Sequence, residues 1–129
     1  AMTGALVWFP AAEGAGAALP EGLRAAGAEV RTQAVYRSVM PPDAPRRLAA
    51  ALDTGVDAVT LTSGSTARHL VRALAGRALP DGAVVVCIGP HTADVARRCG
   101  IGVTGVADEP SARGLVTALD RAWSGAARA

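Results

Sequence analysis

Lysine is absent, and all 13 basic residues are arginine. This removes the lysine that a phosphate loop needs, and the one a receiver domain sets opposite its phosphorylated aspartate. We read the all-arginine usage as the codon bias of a GC-rich genome rather than as chemistry. Aromatic residues are nearly missing too, with one Phe, one Tyr and two Trp. The core is therefore expected to rest on aliphatic side chains and close backbone contacts. Basic runs are lacking: the net charge is only +2, with arginines scattered among acids, so no nucleic-acid partner is expected. Two cysteines, Cys87 and Cys99, make no disulfide framework and read as buried, reduced thiols of a cytoplasmic protein. No stretch approaches the ~20 apolar residues of a membrane span, and none has a signal-peptide pattern, so no membrane partner is expected. Ala1-Met2 reads as a scar ahead of a native start.

What is present is an alternation of apolar runs with Ala/Leu/Arg-rich amphipathic stretches. "ALVWF" (5–9) reads as a strand, and "LPEGLRAAG" (19–27) as a helix end stopped by Gly27. "EVRTQAVYRSV" (29–39) reads as a strand or an extended crossing. "MPPDAPRR" (40–47) breaks the rhythm, because its prolines remove ladder donors and hold preceding residues extended. Asp43 is placed to cap a helix over 44–53. Strands are then expected at 57–62, 83–89 and 101–107, with helices at 63–75, 92–98 and 111–123 and a frayed tail over 124–129. Strands apolar on both faces, alternating with helices, predict an α/β three-layer domain with a parallel sheet of about five strands. The expected organisation is a strand-helix-strand unit over 1–39, a Pro-rich linker over 40–45 and a main α/β unit over 46–129.

Ligands in such folds sit where strands hand over to helices. Two junctions, "LTSGSTARHL" (61–70) and "CIGPHTADVA" (87–96), join small hydroxyl residues to a helix start. Free backbone N–H groups and the helix dipole favour an anion there. The plainer alternative is that Ser63, Ser65 and Thr92 cap their helices. His91 as a general acid or base needs a nucleophile and an orienting carboxylate, and "GPHT" supplies neither. Asp94 is expected in the first helical turn. Cys87, His91 and Cys99 fit no metal-ligand spacing, so no metal is expected. No Gly-x-Gly-x-x-Gly opens a helix. His69 reads as a surface or half-buried helix residue. Tyr36, the only tyrosine, is either an amphipathic residue with a satisfied hydroxyl or a hydrogen-bond donor into a cleft.

Four motifs in order, "GAEVRTQAVYRSV", "DAVTLTSGST", "IGPHTADVARRCG" and "ADEPSARGLVTAL", resemble the uroporphyrinogen-III synthase family. The resemblance runs along nearly the whole chain but matches only the second half of that enzyme. It implies two similar α/β domains joined by a two-segment linker, with the active site in the cleft between them. It implies cyclisation of hydroxymethylbilane, with inversion of the fourth ring and loss of water, and no cofactor or metal. It implies that Tyr36 is the phenol assisting departure of the hydroxyl group. Ser63, Ser65, Thr66, His91 and Thr92 would lie on loops that hold the carboxylates of a tetrapyrrole. The chain is expected to be inactive without the family's first half, and either to fold back on itself into one five-stranded domain or to exchange residues 1–39 with a second copy, the exchanged homodimer being the preferred assembly. The alternatives are a non-catalytic tetrapyrrole- or anion-binding regulatory module and a receiver-like or oligomerisation scaffold, the latter disfavoured by the missing lysine.

Overall fold

The alternation of apolar and amphipathic stretches resolves into five strands and five helices among residues 1–126, which the computed structural model describes. The chain falls into two units, Ala1–Val39 and the part from Met40 onward. The five strands lie in two sheets, one of two strands and one of three, and the pairing within each sheet is parallel.

The first unit is β1 (Leu6–Ala12), α1 (Ala18–Ala25) and β2 (Glu29–Tyr36). β1 and β2 pair in register, with Val7 opposite Val30 and Phe9 opposite Thr32. The register shifts between Ala11 and Ala12, which sets Ala12 opposite Tyr36. The Glu13 N–H then donates to the Tyr36 carbonyl at 2.7 Å and closes the ladder. Alternation along β1 is clean: Val7, Phe9 and Ala11 are half-buried, whereas Leu6, Trp8 and Pro10 face solvent. Gly27 follows α1 in the left-handed region at φ 94° and turns the chain into β2.

The second unit holds α2 (Ala44–Thr54), β3 (Ala58–Leu61), α3 (Gly64–Leu74), β4 (Val84–Cys87), α4 (Pro90–Arg98), β5 (Gly105–Val106) and α5 (Ala112–Ala126). Its sheet order is β3-β4-β5, with Leu61 level with Cys87 and Cys87 level with Val106. All four residues of central strand β4 are buried, as a strand covered on both faces requires. Val85 and Cys87 pack with Leu61, Ala67, Ala93, Val95 and Ala96 on one side. Val84 and Val86 pack with Ala107 and Ala118 of α5 on the other. Each fully buried valine contributes about 1.5–3 kcal/mol from water removal. Alanines at 67, 93 and 96 let α3 and α4 approach the sheet closely, so a core without large rings still closes.

Several sequence expectations need correction. Asp43 stands at the N-cap of α2 but makes no side-chain capping bond; Pro45 near the helix start, which has no N–H to be capped, lowers the demand. Helix α4 begins at Pro90 rather than at 92, because a proline suits a first turn whose N–H is orphaned anyway. β5 is reduced to two residues, although the Thr104 N–H still donates to the Val85 carbonyl at 2.8 Å and its hydroxyl accepts from the Val85 N–H at 3.0 Å. Cys99 is half-buried at the C-cap of α4, and only Cys87 is fully buried. Ser124–Ala126 continue α5 instead of fraying, and the rest of the expected tail lies outside the described residues.

Candidate functional site

Parallel strands put all their carboxyl ends on one edge of a sheet. In the second unit that edge carries the starts of α3, α4 and α5. Leu61 and Cys87 are level, so the two polar junctions begin side by side. The Ile88 N–H donates to the Leu61 carbonyl and the Ala107 N–H to the Cys87 carbonyl, both at 2.9 Å, which carries the register past the strand ends. Gly64 fixes how close the first two helices come. A Cβ there would lie 3.0 Å from Cγ2 of Val95 and 3.3 Å from two further atoms of that side chain. The spacing of the two helix starts therefore depends on the missing side chain.

At the first junction Ser63 is extended and caps α3. Its hydroxyl oxygen accepts from the Thr66 N–H at 3.1 Å. It also lies 3.0 Å from the Ser65 hydroxyl and 2.7 Å from the Thr66 hydroxyl. Ser63 thus serves the cap, and the hydroxyls of Ser65 and Thr66 form the outer part of a three-hydroxyl cluster. Helix geometry leaves the N–H groups of Gly64 and Ser65 without intrahelical acceptors. At the second junction the N-cap is Gly89, extended at φ −170°, and Thr92 does not cap. Thr92 is the buried polar side chain of the described residues, 6% exposed, whereas His91 is exposed. The N–H groups of His91 and Thr92 lack intrahelical acceptors, while that of Ala93 is already taken by the Gly89 carbonyl at 3.1 Å.

Asp94 lies beyond the first turn, contrary to expectation, and pairs with Arg97 at 3.6 Å. The first turns of α3, α4 and α5 hold no acidic residue. A helix start commonly satisfies its dipole with its own carboxylate; these three leave that place open. Asp108, in the loop before α5, is engaged by Arg121 at 2.6 Å.

The third junction was missed by sequence reasoning as a site. Ser111 accepts from the Gly114 N–H at 3.0 Å and starts α5 as Ser63 starts α3. The Glu109 carbonyl occupies the space where a Cβ of residue 114 would stand, so the turn requires glycine there. The signal was present in "EPSARG", a serine three residues before a glycine at an apolar helix start.

Ser63, Ser65, Thr66, His91 and Thr92 are thus gathered at two adjacent helix starts of the second unit. Tyr36 belongs to the first unit, at the carboxyl end of β2, and is 64% exposed. His69 is half-buried on α3. The first unit has a cleft of its own, about 350 Å³, lined by Phe9, Glu13, Gly16, Arg24 and Gln33 among others. It lies between α1 and the sheet, and none of the site residues expected from sequence lines it. Among the described residues no three His, Cys, Asp or Glu side chains gather as metal ligands, and no helix is long and apolar enough to cross a membrane.

These features define a parallel α/β protein in which polar strand-to-helix junctions stand side by side on one edge of the second unit's sheet. The family model for uroporphyrinogen-III synthase HemD matches residues 2–117, and the chain belongs to that family. It is similar to the Thermus thermophilus uroporphyrinogen III synthase, with a TM-score of 0.61 and 20% identity. The likeness covers 94% of this chain and 52% of that one, so the chain spans about half the length of that structure. At such identity it is a likeness of fold. No curated protein matches the chain.

Proposed function

We propose that the chain is one half of a uroporphyrinogen-III synthase acting in tetrapyrrole biosynthesis. The reaction assigned is cyclisation of hydroxymethylbilane with inversion of the fourth ring and loss of water. The observation carrying this reading is the set of three helix starts on one sheet edge, none with an acid in its first turn. A substrate bearing many carboxylates suits such an edge, each charge gaining about 0.3–1 kcal/mol from a helix dipole. Ser65, Thr66, Thr92 and the N–H groups beside His91 act as carboxylate donors, while Ser63 holds α3 in place. Tyr36 acts as the phenol that assists the departing hydroxyl.

The chemistry asks little of the protein beyond holding the linear chain in a ring-closing shape. No metal and no cofactor enter the proposal. We further assign a homodimer formed by exchange of residues 1–39, since residues 37–41 have no regular structure and run into Pro41-Pro42, an extended hinge across which exchange costs little, and a cytoplasmic location. Titration of the chain with uroporphyrinogen tests the site: binding that weakens in Thr92→Val supports it, and equal binding by both sinks it. Conversion of hydroxymethylbilane, measured against spontaneous cyclisation, tests the activity. Tight binding without turnover by the complete assembly would favour a non-catalytic binding module.

A further inference from the structure

Helix α5 carries two apolar stripes, and the sheet uses one of them. Leu115, Ala118 and Ala122 pack with Val84 and Val86 of β4. The second stripe is Ala112, Val116, Leu119, Trp123 and Ala126, recurring at steps of four, three, four and three residues. That is the spacing with which one helix meets another along a seam. Leu119 is half-buried and belongs to both stripes. The rest of the second stripe is exposed, Val116 at 67% and Trp123 at 48%. Beside the seam stand two charges of opposite sign, Arg113 and Asp120. Among the described residues neither forms an ion pair, whereas Arg121, on another side of the helix, is held by Asp108.

We propose that this seam docks a second copy of the chain, α5 against α5 in antiparallel sense about a twofold axis. The seam is complementary to itself in that arrangement. Antiparallel packing sets Ala112 against the partner's Trp123 and Val116 against the partner's Leu119, so the smallest side chain receives the largest. Parallel packing would set Trp123 on Trp123 and Ala112 on Ala112, a clash at one end and a void at the other. The charges agree with the sizes. In the antiparallel pair Arg113 comes beside the partner's Asp120, and the twofold axis repeats that pair on the other side.

The occupant follows from the same residues. One charge of each sign does not suit an anionic lipid surface, which selects a helix flanked by Arg or Lys. A stripe that supplies its own knob, hole, cation and anion fits a copy of itself. The contact lies wholly within the second unit, and it is separate from the exchange of residues 1–39. Because α5 begins at the carboxylate-binding edge, antiparallel packing points the two edges in opposite directions and leaves both open.

Charge reversal tests the seam. A seam of about four turns is a small interface, so sedimentation equilibrium of the full chain should show an association step with a Kd of order 10–100 μM. Arg113→Asp and Asp120→Arg each bring like charges together at two symmetric places, and each should weaken this step about tenfold. The double variant Arg113→Asp/Asp120→Arg restores opposite charges and should return the Kd to within about threefold of the unaltered chain. Trp123→Asp should weaken the step about 30-fold or more. These side chains are exposed, so the variants keep their fold, which circular dichroism checks.

Association that ignores the single variants, or that the double variant does not recover, overturns the proposal. Residues 1–39 are unaltered in all of them, so a dimer held by exchange alone is blind to the α5 charges. A chain without the step up to about 1 mM overturns it as well. Acrylamide quenching of Trp123 in the Trp8→Phe chain identifies the occupant. Protection that grows with protein concentration marks the second copy. Protection already complete in the monomer means that another part of the chain covers the seam, and it overturns the proposal.

Discussion

The two units use the same βαβ grammar and reach opposite results. The second buries strand β4 completely, with α3 and α4 on one face and α5 on the other. The first buries only Ala28 and Pro20 and leaves Leu6 and Trp8 in water. Below about 40 residues a chain segment rarely gathers enough apolar area to fold alone, and two strands are marginal without a covered face. The comparison teaches that pattern alone does not complete a sheet. The first unit has strands, a helix and turn residues of the right kind, and lacks only neighbours.

The most severe way to sharpen this contrast is to truncate equivalent leucines. Leu61→Ala empties a position only 1% exposed and should cost about 2–5 kcal/mol in urea unfolding. Leu6→Ala should cost about 0.5 kcal/mol or less in the dissociated chain. Equal costs under dissociating conditions would break the contrast, because both leucines would then be buried alike. Next in size is Gly64→Val, which drives methyl groups into Val95 and should destabilise the second unit by about 1–3 kcal/mol. It should also part the starts of α3 and α4 and weaken uroporphyrinogen binding more than its stability loss explains.

Much of this was legible beforehand. β-branched and apolar runs at 57–62 and 83–89 announced buried parallel strands, and the polar junctions after them marked the edge. Gly64 and Gly114 were visible as letters, but Gly114 answers to the Glu109 carbonyl of its own turn, whereas the reason for Gly64 is a contact across the fold with Val95. Three-dimensional approach of that kind leaves no local periodicity. The division of labour between Ser63 and Thr92 was hidden for a related reason. Both are hydroxyl residues at helix starts, and only backbone geometry decides that Ser63 caps α3 while Gly89 takes that place in α4. The separation of five strands into sheets of two and three was equally out of reach, because strand pairing depends on which edges meet.

The two hydroxyls therefore make a matched pair of variants within the second unit. Thr92→Val should leave stability nearly unchanged and reduce affinity for a polycarboxylate roughly tenfold, the worth of one hydrogen bond to a charged group. Ser63→Ala removes a cap and should cost about 1 kcal/mol of stability. Thermal unfolding and calorimetric titration of both proteins separate the roles. A Ser63→Ala protein of normal stability would show that the cap at Thr66 is not what holds this loop.

The smallest effect follows from the absence with which the sequence opens. With no lysine in the chain, few groups change charge as a solution becomes mildly alkaline, and Cys87 is among them. Burial pushes its thiol up, and Arg97 pulls weakly the other way. The neutral thiol is thus favoured more in the folded chain than in the unfolded one. Below the unfolded value of about 8.5 the full contribution is present, and it is lost as pH rises from there through the higher folded value. Urea unfolding followed from pH 7 to 10 should show stability falling above about pH 8.5, with a shallower fall in Cys87→Ala. Cys87 lies in the second unit, so this alkaline loss should appear in the β3-β4-β5 core. Half-buried Cys99 should react with a thiol reagent in the native protein, and Cys87 only on unfolding. An equal rate for the two thiols would mean that the second core opens as freely as the first unit's bare sheet.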